Sequence, residues 1–175
     1  MAKTRAIGLI LFTGVGLCTA QIHFALAGML RPELYFRPHL MKNKPFLELA
    51  DIKAIAGAAE AEALAHGWAV TIAIVDDGGN MLWLQRLDGA APLSALIAPS
   101  KARTSAMGRR ETKMYEDMIN GGRFSFLSAP TLDGMLEGGV PIMKDGLCLG
   151  AVGVSGVKSS EDAQIARAGL AAVGL

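Results

Sequence analysis

Between Trp68 and Asp88 two apolar runs are joined by Asp77, Gly78, Gly79 and Asn80, residues that tolerate positive φ. The pattern predicts a β-hairpin. In the first run Val70, Ile72 and Ile74 alternate with Ala69, Thr71, Ala73 and Val75, so neither face offers water a polar stripe. A strand of this kind is expected to be covered on both sides. A hairpin cannot supply that cover itself, so the flanking sequence has to provide helices.

It does so on both sides. From about Phe46 to His66, Leu49, Ile52, Ala56, Ala59 and Ala63 recur at spacings of three and four, an amphipathic helix with Gly67 suited to the left-handed position after its end. His66 in the last turn reads as a structural residue at the negative end of the helix dipole. After the loop at 88–92, residues 93–107 are helical in pattern, with Pro99 predicted to restart the helix as its first residue. A short helix follows at 111–120. The stretch 123–136 is irregular, with Phe124, Phe126 and Leu127 expected as core anchors. A second hairpin spans 138–156 around a Lys144-Asp145-Gly146 turn. Gly150 and Gly153 within it are expected to seat a packed helix or a ligand, because a strand glycine otherwise only weakens the strand. Ser159, Ser160, Glu161 and Asp162 open a last helix. The order gives an α+β domain with an antiparallel sheet between helical layers.

The front of the chain reads differently. Lys3 and Arg5 precede an apolar run from Ile7 to Ala20, and Ala25-Leu26-Ala27 forms an A-x-A cleavage site before Gly28, the pattern of a secretory signal peptide. The expected location is therefore exported, periplasmic or secreted, with membrane contact only in transit. Residues 28–45, with Pro32, Pro38 and Pro45, form a predicted proline-rich arm, and 46–175 the folded domain. Tyr35, Phe36 and Leu40 are apolar enough for the arm to dock on a neighbouring subunit, so a homo-oligomer is expected. Cleavage takes two basic residues from a chain of formal charge +1 and leaves −1. That balance excludes nucleic acid as the main partner. Cys148 is then the lone cysteine, flanked by Leu147 and Leu149 and expected to be buried.

Common catalytic signatures are missing: no Walker loop, no G-x-S-x-G, no C-x-x-C and no H-E-x-x-H. The catalytic residues are unknown from sequence. Gly78-Gly79 and Gly138-Gly139 lack the strand-to-helix setting of a phosphate loop. The strongest polar constellation is Lys101, Arg103 and Thr104 on one helix, read either as a solvated face or as an anionic-ligand site in which the cations meet carboxylates.

The segments VTIAIVDDGG at 70–79, RLDG at 86–89, KART at 101–104, GGVPI at 138–142 and GAVGVSG at 150–156 occur in the order that resembles the GlcG/HbpS haem-binding family, also called haem-degrading, and the C-terminal domain of PduO-type proteins. The resemblance runs from about Leu47 to Ala172 and leaves the arm outside. It implies a profilin-like fold with a five-stranded antiparallel sheet, homo-oligomers, and binding of haem or a related tetrapyrrole. It makes Lys101, Arg103 and Thr104 the leading part of that site, with Gly138 and Gly139 beside it and Thr104 nearest the metal. Three functions follow as expectations: an exported haem carrier, scavenger or sensor partner; a haem-degrading or iron-redox enzyme; or an oligomeric interaction module with secondary ligand binding.

Overall fold

Small residues on the predicted helices decide how closely each can approach the sheet. The computed structural model describes residues 43–175; the predicted signal peptide at 1–27 and most of the arm lie outside the described residues. Along the described chain come α1 (Leu49–Ala65), β1 (Thr71–Asp76), β2 (Met81–Arg86), α2 (Ser94–Gly108), α3 (Lys113–Asn120), a 3-10 turn (Phe124–Ser128), β3 (Gly139–Lys144), β4 (Leu147–Ser155) and α4 (Ser159–Ala171). The four strands form one antiparallel sheet in the order β2-β1-β4-β3, so the two hairpins meet through β1 and β4.

The alternation in β1 sorts its side chains as predicted. Val70, Ile72 and Ile74 join Val140, Ile142, Val152 and Val154 in a core closed by Ile52, Ile55 and Ala59 of α1 and Ile165, Ala166 and Leu170 of α4. Ile55, Ile72, Ile74, Ile142 and Ile165 are fully buried there, each worth about 1.5–3 kcal/mol in apolar transfer. Ala73, Val75 and Ala151 face the other way, onto Ala98, Ala102 and Ala106 of α2. That second layer is thin because alanine adds only a methyl group. Gly153 completes it: a β-carbon there would lie 2.2 Å from the Ala98 carbonyl oxygen and 2.5 Å from the Ala102 nitrogen. Gly153 is the seat of a helix, one of the two readings that its place in a strand allowed.

Several expectations are corrected. The described sheet has four strands, not five. The stretch left over between α3 and β3 carries Pro130 and Asp133-Gly134 and lies on α2, with a β-carbon at Gly134 only 2.1 Å from the Ser100 carbonyl carbon. It therefore adds no strand to a sheet edge. Pro99 does not restart a helix; α2 runs unbroken from Ser94 to Gly108 with Pro99 inside it. One missing hydrogen-bond donor costs less than the packing that holds both halves of α2 on the sheet. Phe124 and Leu127 are exposed rather than core anchors, because the 3-10 turn that carries them lies outside both buried clusters. Finally, Ser159 and Ser160 do not cap α4 but are its first two residues; the N-cap is Lys158, whose N–H donates to Glu161 at 3.2 Å.

Candidate functional site

Three local structures converge beside the outer side of α2. The first is the β1–β2 turn. Asp76 ends β1, and its Oδ1 accepts the backbone N–H of Gly78 at 2.9 Å and of Asn80 at 2.8 Å, while the Asn80 amide donates to both carboxylate oxygens. Partial burial works against the charge on Asp76, but these hydrogen bonds, together with the Lys44 charge, hold its carboxyl below the ordinary value. The turn is thereby closed around a fixed anion, and Gly79 takes φ +81° at its tip.

The second is the exposed edge of α2. Arg103 and Met107 are four residues apart and share a face. A β-carbon on Gly79 would lie 2.8 Å from Arg103 Cγ and 3.6 Å from Met107 Sδ. Glycine at the turn tip is what lets the two pieces come this close. Among the described residues no carboxylate lies within ion-pair distance of Arg103.

The third is the loop after the 3-10 turn, held down on α2 by the glycine contact at Gly134. Gly134 donates its N–H to the Thr104 hydroxyl at 3.1 Å. Together the turn, the helix edge and the loop enclose a cleft of about 360 Å³ lined by Gly78, Gly79, Asn80, Arg103, Met107, Pro130, Thr131 and Asp133. A second hollow of about 340 Å³ adjoins at Asp133 and is floored by Ile119, Leu127, Met135 and Leu136, with Glu116 and Asn120 at its border.

The structure divides the predicted site residues. Arg103 faces the cleft. Lys101 and Thr104 do not occupy the exposed face expected of them: they are 2 % and 0 % exposed. Lys101 points through the molecule instead. Its Nζ donates to Asp162 of α4 at 2.8 Å and to the Val154 carbonyl at 3.0 Å, which ties α2 to α4 past the end of the sheet. Burial pushes the Asp162 carboxyl above its ordinary value, and the hydrogen bond and charge of Lys101 draw it part of the way back. Gly138 and Gly139 belong to this buried group. Gly138 has φ +124°, and a β-carbon on it would lie 2.7 Å from Lys101 Nζ. The glycine pair gives the lysine its passage.

The reason for the division is helical geometry. Lys101 and Thr104 fall on the same side of α2 as the alanines that meet the sheet, and Arg103 and Met107 on the other. His66 lies at the end of α1, where its Nδ1 is 3.0 Å from the Glu62 carbonyl and its ring stacks on Trp68 at 4.3 Å; it is structural, as expected. Sequence reading missed Asp76, Met107 and Asp133. The i, i+4 relation of Arg103 to Met107 was available, whereas Asp133 is thirty residues away and reaches the cleft only through the fold. Among the described residues no three His, Cys, Asp or Glu side chains gather as a metal site.

Comparison with known proteins identifies the family. A family model described as haem degrading protein HbpS-like matches residues 47–171. Protein GlcG of Escherichia coli K12 is 52% identical over 115 residues, 66% of this chain and 85% of GlcG. A crystal structure of a PduOC:haem complex superposes with a TM-score of 0.68 at 28% identity, covering 73% of this chain and 95% of that one. A double mutant of Streptomyces reticuli HbpS superposes with a TM-score of 0.70 at 30% identity, covering 80% and 95%. With a family match over most of its length and a half-identical relative, the chain belongs to the HbpS-like family.

Proposed function

We propose that this protein is an exported haem-binding protein that carries or scavenges the tetrapyrrole, and that the cleft between the β1–β2 turn and α2 is where it binds. The observation that carries the reading is the cleft: an exposed arginine with no carboxylate partner among the described residues stands beside an open hollow. The neighbouring PduOC:haem complex supports the choice of ligand. The residues fit the group. Haem is an apolar disc with carboxylates along one edge, and here a cation at the first hollow adjoins a second hollow floored by apolar side chains.

Bound haem supplies a redox-active iron. Arg103 would hold a propionate by a charge-assisted hydrogen bond. Asp133 lines both hollows, so its charge opposes carboxylates in either and sets a cost that Arg103 has to offset. The fixed turn at Asp76 and the loop held by Thr104 keep the walls in place before ligand arrives, which lowers the ordering cost of binding.

Titration with ferric haem tests the site. Arg103→Ala is expected to weaken binding about tenfold to a hundredfold, the loss of one hydrogen bond to a charged group of about 1.5–3 kcal/mol. Unchanged affinity in Arg103→Ala overturns the placement. Adding a reductant and oxygen to the complex separates carriage from degradation: a persistent Soret band supports carriage, and loss of the band with release of iron supports degradation.

A further inference from the structure

We propose that the Met107 thioether is the iron ligand of the cleft, an inference that rests on the haem reading of the same site. Four observations bring this out. Met107 is one helical turn beyond Arg103 on the same edge of α2, so a ligand whose carboxylate meets Arg103 lies across Met107. Its sulfur lies beside the turn tip, 3.6 Å from where a Gly79 β-carbon would stand, and the side chain lines the cleft. The side chain is 46% exposed, so its lone pairs are not shut in the core. Of the other side chains at the two hollows, Thr131 and Asp133 offer hard oxygens, and Met135, the second thioether, lines the adjoining hollow away from Arg103. The Thr104 hydroxyl is fully buried and accepts the Gly134 N–H. The Asn80 amide is held by Asp76. Cys148 is buried, and His66 is stacked on Trp68.

A thioether is neutral and soft, and it binds ferrous iron in preference to ferric. A cleft with Met107 as its ligand therefore holds reduced haem more firmly than oxidised haem, and a Met-ligated iron has a raised reduction potential. Retention depends on oxidation state: the ferric complex rests on Arg103 and apolar contact, the ferrous complex on these plus sulfur. The class of ligand implied is an iron tetrapyrrole bearing carboxylates, presented in the reduced form.

The test is a pair of haem titrations of the whole protein, one aerobic with ferric haem and one anaerobic with dithionite-reduced haem, followed by absorption spectra. Met107→Leu keeps the volume and the apolar character of the position. It is expected to lower ferrous affinity about tenfold or more, the scale on which metal-site changes act, while leaving ferric affinity within about threefold. Met107→His should give the spectrum of an imidazole-ligated haem in both states, which a side chain not facing iron cannot produce. His66→Ala serves as the control and should titrate as wild type. If Met107→Leu matches wild type in both oxidation states and Met107→His leaves the spectrum unaltered, the ligand is not Met107, although haem binding stands. A wild-type protein that leaves the haem spectrum unchanged overturns the haem reading and the ligand together.

Discussion

Lys101 shows how much one residue's role depends on where its helix faces. As a buried cation held by Asp162 and the Val154 carbonyl it is part of the framework. Lys101→Ala leaves Asp162 charged or protonated without its partner, and is expected to cost about 3–5 kcal/mol of stability. The double replacement Lys101→Met with Asp162→Leu should recover most of that loss, since packed apolar residues commonly substitute for a buried pair. Urea unfolding of wild type and the two variants checks both statements, and a Lys101→Ala protein as stable as wild type contradicts the framework role. Asp76 gives a prediction with a sign in pH. Its folded-state value is lowered, so its contribution to stability is present above the unfolded value of about 3.9 and is lost as pH falls through the folded value. The stability gap between wild type and Asp76→Ala should therefore be wide at pH 6 and narrow at pH 3. Taking the difference between the two proteins cancels the opposite tendency of Asp162, whose value is raised.

At the scale of elements, α2 is the organising piece, because its two sides do separate work. The alanine side enters the sheet over Gly153, and the opposite edge presents Arg103 and Met107 to the cleft. The closeness of α2 to β4 makes Gly153 intolerant. Gly153→Ala places a methyl group against the Ala98 carbonyl and is expected to destabilise by about 1–3 kcal/mol or more through overpacking. Thermal unfolding monitored by circular dichroism reads this directly, and an unshifted midpoint overturns the close-packing account. The α2 pattern was legible from Leu93 to Met107, although the helix takes in Gly108 and ends on Arg109 in the left-handed conformation. Its continuity through Pro99 was not, because the local cost of a proline is fixed by sequence while the compensating contact with the sheet is not.

For the whole molecule, β2 stands at the edge of the sheet with Met81, Leu82 and Leu84 exposed. An apolar edge strand is a template for pairing, and we expect a second copy of this chain to use it in a homo-oligomer. Light scattering of the mature chain should give a multiple of the protomer mass, and Leu84→Glu should shift the population toward the protomer. A wild-type mass equal to one protomer overturns the proposal. The exported location is checked by N-terminal sequencing of the fractionated product, which should begin at Gly28.

The sequence by itself determined the two hairpins, the four helices, and the need for cover on both faces of β1. Each is a matter of periodicity or turn chemistry within a few residues, and Gly67, Asp145-Gly146 and the alternation from Val70 to Val75 carry that information locally. It also marked the KART segment as the chemically richest stretch. Tertiary structure alone decided what each member of that segment does. A lysine, an arginine and a threonine within four residues look alike on paper as a polar cluster. Burial separates them, sending Lys101 to Asp162 on α4, Thr104 to the Gly134 loop, and only Arg103 to the cleft. Those partners lie thirty to sixty residues away, and no local pattern encodes a contact whose two halves meet only after the sheet has brought α2, α4 and the loop together.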